Sequence, residues 1–347
     1  MVEVTLENLS YHYAPDKAGV TDITLSVDPG ELMVLLGPSG CGKTTTLRLI
    51  AGLLRPTRGD IRFDGRSMVH VPPEKRGATM VFQQHALFPF RSVGDNVAYG
   101  LRIRKLDRMT IQKRVASALA AVHLSGFEER WPDELSGGQR QRVALARVLA
   151  IDPKVLLLDE PLSQLDQNLR EELRFMIREL QKSANITTML VTHDQQEAIA
   201  IADRIAVLFD GCVYQVAEPR IFFDAPRTAQ IARFFGGVNF LPGVKQGALV
   251  YTDAGPLEVD PQNQPDGEVL LTIRPEAIEI GRNGHNNLAG TVRSYTFHGA
   301  SVRCRASVKN VDFQIVASPF RSYARDEPIV LHIPKDRICL LPRTFAP

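Results

Sequence analysis

The chain is 347 residues long, enough for two or three domains. Its 44% hydrophobic and 23% charged content is that of an ordinary soluble globular protein, and 41 Lys and Arg against 39 Asp and Glu leave a formal net charge of +2, which gives no electrostatic case for nucleic acid. The four cysteines (Cys41, Cys212, Cys304 and Cys339) are far apart and form no C-x-x-C pair, which points to free thiols in a reducing cytosol.

In chain order, Met1 to Thr5 lack the charged and apolar regions of a secretory signal, and no later apolar run approaches the roughly 18 residues of a membrane span. Any service at a membrane is therefore expected from the cytosolic side, through a partner. Val2, Val4 and Leu6 alternate with polar residues, as do Ile23, Leu25 and Val27, and Ile61 and Phe63 repeat the pattern before the Asp64-Gly65 turn. These read as half-buried antiparallel strands. Interleaved with them, Leu32 to Leu36 is an unbroken apolar run, the mark of a buried parallel strand. From Thr44 to Leu54, Leu47, Ile50, Leu53 and Leu54 fall at helical spacing, with Pro56 as the stop. From roughly Ala86 to Ala150 the signals are mostly helical, clearest over Gln112 to Val122 and Gln139 to Ala150. Buried strands return at Val155 to Leu158 and Thr188 to Val191, and between them Leu169, Leu173, Met176, Ile177 and Leu180 make one helix face. Alternating strands and helices predict an α/β core with a parallel sheet.

After about Phe235 the pattern changes. Gly236-Gly237 and Pro242-Gly243 read as boundary punctuation. Beyond them, Val269 to Ile273, Val302 to Val308, Val311 to Val316 and Ile329 to Ile333 are short alternating runs separated by turn residues, as in a small all-β sandwich or barrel. The expected division is residues 1–235 and 236–347, with a helical subdomain at about 86–150.

The stretch Gly37-Pro38-Ser39-Gly40-Cys41-Gly42-Lys43-Thr44 matches G-x-x-x-x-G-K-[ST] between a buried strand and a helix, the context that a phosphate-binding loop needs. Glycines let backbone N–H groups approach the phosphates, and the helix N-terminus adds partial positive charge. Lys43 is placed for the β- and γ-phosphates and Thr44 for Mg²⁺, so Gly37, Ser39, Gly40, Cys41, Gly42, Lys43, Thr44 and the following Thr45 are the candidate nucleotide ligands. Leu135-Ser136-Gly137-Gly138-Gln139 precedes a second helix and makes a second anion cradle at a helix N-terminus. Helix caps use the same residues. One cassette does not need two cradles for one nucleotide, so the economical reading is that Ser136, Gly137, Gly138 and Gln139 close over ATP held by another copy.

With these motifs the chain resembles the ATP-binding subunits of ABC transporters over roughly residues 1–235. That resemblance implies a P-loop NTPase cassette with a parallel-sheet core, an antiparallel β subdomain and a helical subdomain. It makes Gly37 to Thr44 the Walker A loop, Gln83 the Q-loop glutamine, Leu135 to Gln139 the signature and Val155 to Asp159 Walker B, followed by Glu160. Ser163 to Asp166 resembles the D-loop, and His193 the switch histidine. Tyr13 corresponds to the aromatic that stacks on adenine, although Tyr11, two residues away, competes for that assignment. The cofactors implied are ATP and Mg²⁺, with Asp159, Thr44 and Gln83 around the metal, Glu160 as general base, His193 on the γ-phosphate and Asp166 arranging the opposite subunit's loop. Two departures from the family pattern are Gln164, larger than the usual D-loop residue, and Leu87 to Val93, in the region that meets membrane subunits. The basic stretch Arg102, Arg104, Lys105 and Arg108 reads as a solvated face rather than a lipid contact.

A single cassette with a trailing β-domain is similar to importers in which two copies drive two transmembrane permease subunits fed by a solute-binding protein. There the C-terminal part is an OB-like TOBE regulatory domain, and Gly237 to Phe240 and Ile273 to Ile278 resemble its recurring segments. This implies a homodimer at the cytoplasmic face of the inner membrane, importing a polyamine, ferric iron, a phosphonate or a sugar. The alternative is a soluble ABC ATPase acting on ribosomes or nucleic acid. Such proteins carry two cassettes or a long coiled coil, and this chain has neither sustained heptads nor a basic arm. A P-loop kinase would not need the cradle at Ser136 to Gln139.

Overall fold

The apolar runs that stand out in the sequence are the centre of one sheet. The computed structural model describes residues 1–14, 17–83, 86–163, 165–260 and 264–342, in two units, Met1–Pro219 and Arg220–Pro347. In the first unit a six-stranded sheet runs in the order Cys212–Ala217, Arg204–Phe209, Leu32–Leu36, Thr187–Thr192, Val155–Asp159, Ala78–Val81. All neighbours pair parallel except the hairpin of the first two. Every residue of Leu32–Leu36, Val155–Asp159 and Thr187–Thr192 is buried, which is why these segments show no alternation. Alternation survives in the second sheet, Lys17–Val27, Val4–Ala14, Arg58–Phe63 and Arg66–Ser67, where Val4, Leu6, Ile23, Leu25, Val27, Ile61 and Phe63 point into the shared core.

The parallel order decides where chemistry can sit. The loops that follow Leu36, Val81, Asp159 and Thr192 all leave the same sheet edge, the carboxyl ends of the strands, where open α/β sheets place their ligands.

The helices differ in their ends from the sequence expectation. The helix after the phosphate loop spans Lys43–Ala51 and is stopped by Gly52 in the left-handed region (φ 84°), not by Pro56. Leu53 and Leu54 have left the helix, and their amides turn back to the Arg48 carbonyl at 2.9 and 3.2 Å. The helix read from Gln112 begins at Arg108, because Asp107 caps it by accepting the Thr110 amide at 2.9 Å. The remaining helices of this region are Val93–Ile103, capped by Ser92, and Gly137–Leu149, capped by Ser136. In the basic stretch, Arg102 pairs with Asp95, and Arg104 donates to the Ile151 carbonyl at 2.6 Å. No helix among the described residues is long and apolar enough to cross a membrane.

The second unit holds two five-stranded antiparallel sheets around one core that includes Leu241, Leu271, Val292, Phe313 and Leu331. Pro242 and Gly243 are not punctuation here. They lie inside strand Asn239–Gln246, opposite Leu270 and Val269. Pairing of that strand with Leu249–Thr252 starts only at Gly243, so Pro242 interrupts no ladder on that side. The helices Ile221–Asp224 and Ala229–Phe234 belong with this unit: Phe222 stacks on Phe235 at 4.8 Å, and Arg274 donates to the Phe222 carbonyl at 3.0 Å and to that of Phe235.

Candidate active site

The phosphate loop is shaped by what lies behind it. A Cβ on Gly37 would sit 2.2 Å from the Leu208 carbonyl oxygen, and one on Gly42 (φ 97°) would sit 2.5 Å from that of Gly19. A Cβ on Gly40 would meet nothing within 4 Å, so the loop is packed at its two feet and open at its crest, where Ser39 and Gly40 are exposed. Gly42 caps the helix Lys43–Ala51 without a side-chain bond, leaving the first-turn amides as donors for an anion. Lys43 is 5% exposed, and its ammonium donates to the carbonyls of Gly37 and Pro38, each at 2.8 Å, with the Cys41 sulfur at 3.8 Å. Burial pushes the Cys41 thiol up against the opposing Lys43 charge, so it remains a thiol at neutral pH.

At the end of the neighbouring strands the acidic and amide groups converge. Thr44 Oγ1 donates to Asp159 Oδ1 at 2.7 Å. Burial raises the Asp159 carboxyl and the Thr44 bond opposes this. Glu160 follows in the left-handed region (φ 46°), a strain of about 1–2 kcal/mol for a residue with a Cβ, held by its amide to the Val191 carbonyl at 3.0 Å. Its two carboxylate oxygens are addressed from opposite sides. Gln83 Nε2 donates to Oε2 at 3.0 Å, and His193 Nδ1 lies 3.4 Å from Oε1. Ser163, which the sequence reading left without a role of its own, accepts weakly from Gln83 at 3.5 Å and donates to the Glu160 carbonyl at 3.1 Å. Nothing but its place three residues after a catalytic-type carboxylate could have flagged it.

Mg²⁺ fits this donor set. The ion takes hard oxygens, and holds by one or two carboxylates plus phosphate oxygens rather than by an all-protein cage. A buried carboxylate and a hydroxyl 2.7 Å apart beside the phosphate loop supply the protein's share, and the described residues hold no cluster of three or more His, Cys, Asp or Glu that would make a cage.

The two tyrosines separate. Tyr11 packs against the core, whereas Tyr13 is 49% exposed, with its hydroxyl 2.8 Å from Thr45 Oγ1 on the phosphate-loop helix. Gly19 makes room for it, because a Cβ there would be 2.9 Å from the Tyr13 ring. The second cradle is a capping box: Ser136 Oγ accepts the Gln139 amide at 3.2 Å and Gln139 Oε1 accepts the Ser136 amide at 3.0 Å. Gly137 and Gly138 follow as its first helical residues. Asp166 caps its own helix, Gln167–Ala184, through the Leu169 amide at 3.1 Å. Gln164 lies outside the described residues.

Family comparisons agree with this geometry. The ABC transporter family model matches residues 20–163, and a TOBE domain model matches residues 271–341. The spermidine/putrescine import ATP-binding protein PotA of Rubrobacter xylanophilus is 44% identical over 313 residues, covering 87% of this chain and 82% of that protein. The chain belongs to the ABC transporter family. It is an ABC-type ATPase subunit with a TOBE domain. The Fe(3+) ions import ATP-binding protein FbpC of Escherichia coli is 43% identical over 300 residues, covering 85% of each. Among solved structures, a dimeric ATP-binding cassette in a post-hydrolysis state with ADP and Pi is 31% identical, with a TM-score of 0.57 over 62% of this chain and 99% of that one. This family's P-loop ATPase fold, with its antiparallel and helical subdomains and a small all-β domain, is the one described above.

Proposed function

We propose that this ABC ATPase works as a pair of identical subunits that hydrolyse ATP to drive small-solute import through two partner permease subunits, from the cytoplasmic face of the membrane. The observation that carries the reading is the single carboxylate, Glu160, gripped by Gln83 and His193 beside the Thr44–Asp159 pair. In hydrolysis a water oxygen attacks the γ-phosphorus, the bond from that phosphorus to the β–γ bridging oxygen breaks, and a proton leaves the water. Glu160 orients the water and takes its proton. Lys43 and the amides from Gly40 to Thr45 hold the phosphate oxygens, Ser39 lines the loop crest, and His193 donates to the γ-phosphate. Asp159, Thr44 and Gln83 would hold Mg²⁺, which would supply charge neutralisation at the phosphates. Tyr13 stacks on the adenine ring: it is exposed and tethered to the phosphate-loop helix, while Tyr11 is committed to the core.

Pairing is supported by the second cradle and by the dimeric state of the similar ATP-binding cassette structures. Ser136 to Gln139 would close over the nucleotide of the opposite copy, with Asp166 beside the seam. Import is supported by the names of PotA and FbpC, which are import ATP-binding proteins for spermidine/putrescine and for Fe(3+). At 44% and 43% identity the two stand equally near, and neither cargo is favoured over the other.

Glu160→Gln tests the assignment. It should lower turnover by about a hundredfold or more, keep ATP binding, and trap a dimer visible by sedimentation. Near-normal turnover would remove Glu160 from the role. Mixing Lys43→Ala with Ser136→Arg subunits should restore one composite site, and no restored activity would refute closure across copies.

A further inference from the structure

Behind His193 sits a buried carboxyl that the proposed reaction does not use. Glu197, in helix Gln195–Ile201, is 5% exposed. Its Oε2 accepts the Thr192 hydroxyl at 2.6 Å, while Oε1 is buried and has no hydrogen-bond partner among the described residues. Thr192 ends the strand before the histidine, and its hydroxyl accepts the Asp194 amide at 3.0 Å. Asp194 Oδ1 in turn accepts the amides of Gln196 at 2.8 Å and Glu197 at 3.1 Å. The residues on either side of His193 are thus both tied to Glu197, one by its carboxyl and one by its amide. His193 itself is exposed and meets Glu160 through one ring nitrogen, so its aim is set by this backbone frame.

A glutamate is a costly residue for a merely structural post. An unpaired buried polar atom costs about 1–3 kcal/mol, which a well-packed apolar side chain would avoid. The charged groups facing it are His193 and Asp194 in the turn and Arg174 on the helix Gln167–Ala184, whose Nε is also buried without a partner. The strand Leu32–Leu36, packed on the same helix, brings only apolar side chains. Burial pushes the Glu197 carboxyl up to about 7; the Thr192 bond opposes this, Asp194 adds to it, and Arg174 and His193 oppose it. The Thr192 hydroxyl, donating to Oε2, binds the ionised carboxylate more strongly than the neutral acid.

We infer that Glu197 is a positioning residue for His193: its carboxylate holds Thr192 and Asp194 so that the imidazole faces Glu160, and protonation weakens that hold. The inference rests on the ATPase reading of the same site. The test is steady-state ATP hydrolysis by the full chain from about pH 5.5 to 9, with binding of a fluorescent ATP analogue followed in parallel. Wild-type turnover should rise with pH on an acid limb centred near the carboxyl's value of about 7. Glu197→Gln, neutral at every pH and still able to accept from Thr192, should lack that limb. Glu197→Ala should lose about tenfold to a hundredfold in turnover at all pH values with nucleotide affinity kept, as for a misplaced catalytic group. A wild type without the limb, a limb unchanged in Glu197→Gln, or full turnover in Glu197→Ala would each overturn the inference. A wild type that bound ATP without hydrolysing it, or an active Glu160→Gln, would instead sink the ATPase assignment of the site.

Discussion

Arg76 is the residue whose removal should most weaken the frame of the phosphate loop without touching nucleotide. It is 5% exposed, and its guanidinium donates to three carbonyls: Leu49 at 2.8 Å, Ile50 at 3.0 Å and Val71 at 2.8 Å. The first two belong to the last turn of helix Lys43–Ala51, where unpaired carbonyls and the negative end of the helix dipole favour a cation. In Arg76→Met the stem packing is retained. Leu49 O keeps the Gly52 amide at 3.1 Å, so the substitution strands chiefly the carbonyls of Ile50 and Val71. At about 1–3 kcal/mol for each stranded group the gross loss is about 2–6 kcal/mol. Relief of the burial that holds Arg76 below its usual pKa offsets part of this, leaving about 2–4 kcal/mol net. The chain's single tryptophan, Trp131, lies in the first unit, so its fluorescence in a urea titration reports that unit alone. With a slope of about 2–3 kcal/mol per molar, the midpoint should fall by about 1 M. Arg76→Lys should recover less than half of the loss, because a point charge cannot serve three diverging carbonyls. A midpoint shift under about 0.3 M in Arg76→Met would refute the reasoning.

Two further outcomes follow from contacts on the same unit. Tyr13→Ala should weaken binding of a fluorescent adenine nucleotide by about 1–2 kcal/mol, roughly tenfold, while Tyr13→Phe, which loses only the bond to Thr45, should cost far less; equal losses in the two variants would argue against stacking. Asp203 accepts the Leu32 amide and pairs with Arg178, and although burial pushes its carboxyl up, these donors hold it below the usual carboxylate range. A depressed carboxyl stabilises the fold above its unfolded pKa and loses that contribution as pH falls through its lower folded value, so wild type and Asp203→Asn should differ in urea midpoint at pH 7 and begin to draw together only below about pH 4. A gap that did not narrow at all between about pH 4 and about pH 2 would show that the carboxylate charge is not what matters.

The candidate site residues Glu160 and His193 were legible in the sequence because each directly follows a buried strand, whose unbroken apolar run is a strong local signal, whereas Gln83, beyond the half-buried strand Ala78–Val81, was carried by the family resemblance. Gln83 follows Val81, Glu160 follows Asp159 and His193 follows Thr192, so register on the sheet carries them to one edge. Helix ends were less legible. Gly52 and Asp107 stop and start helices through left-handed backbone and capping bonds, whereas the periodicity of Leu53 and Leu54 runs past the true end. The second unit was legible only in part, since strands such as Asn287–Phe297 hold few buried residues and show little alternation to read. Glu197 and Arg76 were invisible for another reason. Each is an ordinary charged residue in sequence, and only burial among distant partners gives it a task.

The geometry around Glu160 explains why its backbone strain is tolerated. A left-handed residue after a parallel strand is kept only if its surroundings fix it, and here the fixing groups come from both neighbouring strands. The Val191 carbonyl holds the Glu160 amide from the strand on one side, and His193 leaves that same strand to reach Oε1. Gln83 leaves the strand on the other side and reaches Oε2. The two loops therefore do not address the carboxylate redundantly. Movement of the segment carrying Gln83 frees one oxygen, and movement of the turn framed by Thr192, Asp194 and Glu197 frees the other. In the role proposed for Glu160, a base whose two oxygens are held by two separate loops is fully positioned only when both loops are in place.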